Sequence, residues 1–303
     1  MSQVNGLGKT DRQIVGDRSA EHAMSHAASR RAAASQDASA ILPFLLITFG
    51  MAWGLMGLYL AMPDRIEANF GPVSGSHPLF ILAVYAPAIA AVVLVLHHGG
   101  IAGLKAFLSR RLLWRMAAGW WAFLLLGIPA VSFLGAALGG TLAGWAGSLP
   151  EAGPLLAATA FMLVLGPAEE FGWRGFAQPL LQRRMAPVRA GLVLGLIWGV
   201  WHLPAFYLSG LVQSEWSFMP FLIGSVAVSL ILTAMFNAAR GSILLAALFH
   251  FQLNNPLWPD GRPWDMYLFA AVAAAVVWID RKRMFSRAGA ATDVIPGSDK
   301  PLR

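Results

Sequence analysis

Residues 167–174, Pro-Ala-Glu-Glu-Phe-Gly-Trp-Arg, place two adjacent carboxylates and a guanidinium directly after the apolar run 155–166. Polar groups interrupt apolar text twice more. His202 lies in Trp-Gly-Val-Trp-His-Leu-Pro, and His250 precedes Asn254 and Asn255 in Leu-Phe-His-Phe-Gln-Leu-Asn-Asn. Ionisable side chains in lipid are costly and rare, so each marks a candidate site. Glu170 and Arg174 stand four residues apart and share a helix face, as do His250 and Asn254. Glu169 is rotated by about 100° from Glu170, which leaves it free to face another element. Pro204 lacks the helical N–H donor and opens room beside His202.

Carboxylates, imidazoles and an amide, in a chain without cysteine, suit the activation of water. A glutamate in a low-dielectric setting is a stronger base than one in water, a histidine can share the water proton, and a second histidine with an amide can donate to an oxyanion. The alternative division is a metal site in which Glu169, His202 and His250 bind Zn²⁺ and water fills the open position. The HExxH signature of helical zinc proteases is missing. Both divisions end in hydrolysis of an amide or ester. Blander accounts exist for each part: a helix ion pair for Glu170 with Arg174, a satisfied histidine for His202, interhelical hydrogen-bond glue for His250 with Asn254. The set together is better explained by one site. Interfacial solvation explains His97 and His98, and a helix end explains Asn237 and Arg240. Of Trp173, Trp198 and Trp201, Trp173 reads as an interface-belt residue.

The elements that must carry these groups are membrane helices. The 303 residues are 57% hydrophobic and 12% charged, against about 25% charged in a soluble domain. Apolar stretches long enough to span a bilayer fall at 41–62, 79–96, 118–138, 155–171, 188–208 and 218–237, with shorter ones at 241–254 and 265–279. The expected fold is an all-α polytopic helix bundle of about eight transmembrane helices, forming one domain over 41–280. Residues 1–40 read as a disordered tail and 281–303 as a basic tail. Alternate loops and both tails hold 20 of the 22 Lys and Arg residues, and the opposite loops hold only Arg65 and Arg262. By the positive-inside rule both termini are cytoplasmic, with the cell (inner) membrane as the expected location. The net charge of +7 is then a topology signal rather than a nucleic-acid footprint. Glu169, Glu170 and Arg174 fall at the cytoplasmic end of the fourth span, so the expected site is a cytoplasm-facing cavity. His202, about 14 residues into the fifth span, lies awkwardly deep for it.

Glu169–Arg174 (Glu-Glu-Phe-Gly-Trp-Arg) matches an EExxxR motif, Trp198–His202 an aromatic-xxx-His motif, and His250–Asn254 an HxxxN motif. In this order on successive membrane helices, over residues 79–260, the chain resembles the CPBP intramembrane proteases. That family includes the type II CAAX prenyl endopeptidases and the bacteriocin-processing or immunity proteins. The resemblance implies an endopeptidase acting on a membrane-associated or prenylated CAAX-type peptide or membrane-protein substrate. Glu169 and His202 would activate water, His250 and Asn254 would form the oxyanion hole, and Glu170 and Arg174 would support the site. Zinc, on Glu169, His202 and His250, is the cofactor the family leaves open. The family's second motif often begins with Phe, where this chain has Trp198. A non-catalytic immunity or binding protein using the same cavity, and an ion-coupled transporter, are the competing expectations.

Overall fold

The structure is a computed structural model and describes residues 40–297. The expected tail over 1–39 lies outside the described residues, as do 298–303. Six helices are long and apolar enough to cross a membrane: α1 (Ala40–Ala61), α2 (Ala86–Leu112), α3 (Ala118–Gly139), α4 (Ala152–Gln182), α5 (Pro187–Tyr207) and α6 (Phe218–Ala238). Two shorter apolar helices, α7 (Ile243–Leu253) and α8 (Trp264–Ile279), take the places of the last two expected spans. Among the described residues there is no strand. The fold is a polytopic helical bundle.

α6 is the centre of the packing, with α5 on one side and α8 on the other. Lipid tails are as apolar as leucine, so membrane helices associate through close contact and small residues rather than through the hydrophobic effect. Gly195 of α5 shows this: a Cβ there would lie 2.7 Å from Val226 Cα of α6. α4 crosses α2 equally closely, since a Cβ on Gly172 would collide with Pro87. Trp173 is fully buried, with its ring 5.5 Å from Phe44 and 5.8 Å from Trp201. It is a core residue that joins α1, α4 and α5, and the interface-belt reading is wrong for it.

α2 runs Ala86–Leu112 where 79–96 is expected, and α4 departs from expectation in the part that carries the site. Its path does not stop near residue 171 but continues to Gln182. The first part, Ala152–Met162, buries no residue. The chain then loosens at 163–165, tightens into a 3₁₀ turn at Gly166–Ala168, and resumes at Glu169. Pro167 supplies no N–H for an α-helical bond, which accounts for a break at this point. A wide π turn follows at Trp173–Ala177, of the kind that recurs at functional sites. From Leu165 to Leu180 nearly every side chain is buried.

This extension removes the depth problem. Glu169 lies 13 residues before Gln182, about 20 Å along a helix, and His202 lies 15 residues after Pro187, about 22 Å back along the next one. The two side chains therefore sit at one depth, deep in the bundle. It also changes the charge pattern: Arg174 is buried in α4 and is not a loop residue.

The ends of α2, α4 and α6 on the side of the basic loops are knitted together by the segment after α8. Gln182 and Asn237 exchange side-chain hydrogen bonds of 3.0 and 2.8 Å, and Gln182 Nε2 also donates to the Ala291 carbonyl at 2.8 Å. Arg110 donates to the carbonyls of Gly241, Gly175 and Val294, and Val294 is fully buried. Asn237 thus ties three segments rather than capping one helix.

Candidate active site

α4 and α7 each deliver a pair of polar residues, and α5 a single histidine, to the same place. On α4 the 3₁₀ turn brings Glu169 and Glu170 into the core, 4% and 0% exposed. On α5 the α-helix ends at Trp201 and a 3₁₀ turn begins at Leu203-Pro204, so His202 occupies the junction. On α7, His250 and Asn254 lie at the helix's C-terminal end.

Glu170 has a partner on each side, a hydrogen bond from His250 and an ion pair with Arg174. His250 Nδ1 lies 2.7 Å from Glu170 Oε1, and Arg174 Nε lies 3.5 Å from Glu170 Oε2. All three residues are buried, so Glu170 carries the counter-charge for a guanidinium that lipid would not tolerate alone. The arginine also lies over the Trp198 ring at 5.1 Å, a second partner for its charge. The expected Glu170–Arg174 pair is present, and His250 completes it as a triad.

Glu169 faces the other way. Its Oε2 accepts a 2.8 Å hydrogen bond from Trp198 Nε1. The same indole stands edge-on to both imidazoles, with centroids 5.4 Å from His202 and 5.6 Å from His250. Trp198 is therefore the common wall of the site. A phenylalanine would supply the wall without the donor.

The tautomers follow from the partners. A backbone carbonyl only accepts, so His202 Nδ1, 2.8 Å from the Trp198 carbonyl, carries the proton. Its Nε2 lone pair is left for the cavity. His250 Nδ1 likewise donates to the Glu170 carboxylate, and its Nε2 points toward Gly166, where a Cβ would stand 3.0 Å away. Asn254 Nδ2 would be 2.5 Å from that Cβ, and among the described residues the Asn254 amide has no side-chain hydrogen bond. Gly166 is a site residue that motif reading misses. Only a residue without a side chain lets the α4 backbone pass this close to His250 and Asn254.

Glu169, His202, His250 and Asn254 line one cavity of about 610 Å³. Its walls are aromatic and apolar, with Phe80, Met162, Trp201, Phe221 and Phe269 among them. The cavity does not open toward the basic loops. Its lining comes from the C-terminal ends of α1, α5 and α7, the N-terminal part of α4, the N-terminal ends of α6 and α8, and the loops holding Gly75, Gln213 and Asp260. These loops lie on the opposite face, which corrects the expectation of a mouth beside the basic loops. At this mouth Arg262 pairs with Asp260 at 2.9 Å and lies 3.8 Å over the Trp216 ring.

The expected zinc ligands fit less well. Among the described residues no three His, Cys, Asp or Glu side chains form a group that could hold a metal ion. Glu169 is engaged with Trp198 instead.

The fold and this site define a multi-pass integral membrane protein with a buried carboxylate–imidazole centre inside its bundle. Residues 151–255, which include all three motifs, match the family model described as type II CAAX prenyl endopeptidase Rce1-like. The CAAX prenyl protease 2 of Methanococcus maripaludis is 31% identical over 141 residues, covering 43% of this chain and 52% of that protein. Over this stretch the chain is similar to the CAAX-type proteases. It spans about half the length of this curated relative.

Proposed function

We propose that the protein is an intramembrane endopeptidase that hydrolyses a peptide bond of a membrane-associated substrate. The observation that carries this reading is the convergence of Glu169, His202, His250 and Asn254, from three helices, on one cavity. A substrate carbonyl lies in the cavity with water between it and Glu169. Glu169 takes a proton as the water oxygen bonds to the carbonyl carbon, and His202 Nε2 holds the other water proton in a hydrogen bond. Negative charge moves to the carbonyl oxygen. Asn254 Nδ2 and the Nε2–H of an imidazolium His250, paired to Glu170, donate to it. The C–N bond breaks as Glu169 returns its proton to the leaving nitrogen, so the products are a carboxylic acid and an amine. Trp198 holds the Glu169 carboxylate in place throughout, and Arg174 holds Glu170.

Cleavage of membrane-protein substrates by the purified protein, read by mass spectrometry of new termini, tests this directly. Glu169→Ala and His202→Ala are each expected to abolish cleavage. Wild-type rates in both would overturn the assignment. The same assay after exhaustive chelation checks the metal-free chemistry: the rate is expected to be unchanged, and a loss restored by one equivalent of zinc would move water activation to a metal.

A further inference from the structure

We propose that Arg110, at the end of α2, is a positioning residue through which residues 291–294 set the register of α4 against α7, and with it the Glu170–His250 contact. Its effect on cleavage rests on the proteolytic reading above, whereas the coupling itself rests on contacts alone.

Both ends of this coupling, Arg110 and residues 291–294, lie outside residues 151–255, where the family likeness falls. Arg110 is 3% exposed. A guanidinium carries five N–H donors on a rigid planar fork, so one side chain can join several segments at fixed angles. Here Nη1 donates to the Gly175 carbonyl at 2.6 Å and to the Val294 carbonyl at 3.3 Å, and Nε donates to the Gly241 carbonyl at 3.0 Å. The face of Phe236 on α6 takes up the charge from the side, with its centroid 5.4 Å away.

Two of these carbonyls belong to segments that carry the site. Gly175 is in the middle of the π turn Trp173–Ala177, next to Arg174, the ion-pair partner of Glu170. Such turns are rare, and a short hydrogen bond from another helix holds this one. Gly241 makes the left-handed turn into α7, with φ +79°. A Cβ there would stand 3.3 Å from the guanidinium. Ser242 follows and caps α7 by accepting from Leu245 N at 3.1 Å, while its hydroxyl donates to the Leu113 carbonyl. The end of α2 is thus fastened to the start of α7 twice. Arg110 grips α4 about one turn from Glu170 and α7 about two turns from His250, and these two side chains form the 2.7 Å bond. A slide of about 1 Å along that bond would carry the imidazole out of hydrogen-bond range.

The third carbonyl makes the clamp depend on the chain after α8. Ala291 N donates to Asn237 Oδ1 at 3.0 Å, and the Ala291 carbonyl accepts from Gln182 Nε2 at 2.8 Å. The Thr292 carbonyl accepts from Arg183 Nε at 2.8 Å. Ile295 packs so closely on α2 that a Cβ on Gly99 would lie 2.9 Å from its side chain. These anchors on both sides hold the Val294 carbonyl against the guanidinium.

The test uses the full-length chain in detergent. Arg110→Lys keeps a cation but loses the fork that reaches three carbonyls together. Ala291→Pro leaves Arg110 in place and removes the N–H bonded to Asn237. The first readout needs no substrate. In protein carrying isotope-labelled histidine, the His250 Nδ1–H held by the Glu170 carboxylate gives a downfield proton resonance, assigned by its loss in His250→Gln. Both variants are expected to shift or lose it, and a wild-type signal in either overturns the inference. The second readout is cleavage at a temperature where both variants are fully folded. There kcat is expected to fall by about ten- to a hundredfold with KM little changed. A kcat that falls only where the variants begin to unfold would make the clamp merely structural and overturn the inference as well. A shifted signal in the variants, with no cleavage even by the wild type, would remove the proteolytic reading and leave the coupling standing.

Discussion

Trp198 stands where the family that the sequence resembles often has phenylalanine, and the indole brings a donor, not just a larger ring. Its indole N–H is the hydrogen-bond partner of Glu169, and a hydrogen bond to a charged group is worth about 1.5–3 kcal/mol. Trp198→Phe keeps the wall and removes the donor. It is expected to lower kcat by roughly ten- to a hundredfold, with KM little changed. A wild-type kcat would mean that the carboxylate is positioned by other contacts. Glu170 has a different task. Glu170→Gln leaves the fully buried guanidinium of Arg174 without its carboxylate, a loss of about 3–5 kcal/mol for a broken buried pair. Thermal unfolding in detergent should show a clear drop, and Glu170→Gln with Arg174→Met should recover part of it. No recovery would argue that Arg174 finds its charge balance elsewhere, over Trp198. The candidate residues themselves were legible in the sequence because a charge inside an apolar run is conspicuous. The Trp198 bond was not, because tryptophan is ordinary in membrane text, and a hydrogen bond across 29 positions leaves no local pattern.

Among the elements, α4 does most to bring the site together. Its break at 163–168 turns Glu169 and Glu170 inward, and Gly166 lets the backbone pass against His250 and Asn254 of α7. Gly166→Ala places a methyl group where those two side chains now stand. It is expected to reduce cleavage severely while leaving the protein folded by size-exclusion chromatography. Undiminished cleavage would show that α7 can shift without harm. The sequence misplaces the end of α4 for a physical reason. Arg174, Gln178 and Gln182 look like the polar exit of a span, yet each is fully buried, because neighbouring helices replace lipid around them. Hydropathy measures transfer to lipid, and it misjudges a segment that is surrounded by protein. The first, third, fifth and sixth spans, whose outer faces meet lipid, were read close to their ends, whereas the second, read as 79–96, runs Ala86–Leu112.

For the whole molecule, charge and architecture give one end open and the other closed. The closed end depends on a segment that composition alone assigns to a tail. Val294→Asp would bury a charge between α2 and α6, and it is expected to destabilise the protein in detergent by several degrees of Tm. An unchanged Tm would mean that the segment merely rests on the surface. That closure was illegible because the docking is made largely by backbone carbonyls at 291–294, whose positions no side-chain pattern reveals. The basic bias of the loops was fully legible, whereas the side on which the cavity opens required the three-dimensional path of α4. The central claim, that Glu169 moves the proton of the attacking water, is tested most directly by single-turnover cleavage with Glu169→Gln. The carboxamide can still accept from Trp198 but cannot take a proton. The account predicts a correctly folded, substrate-binding protein whose cleavage step is lost, and a cleavage rate equal to wild type would contradict it.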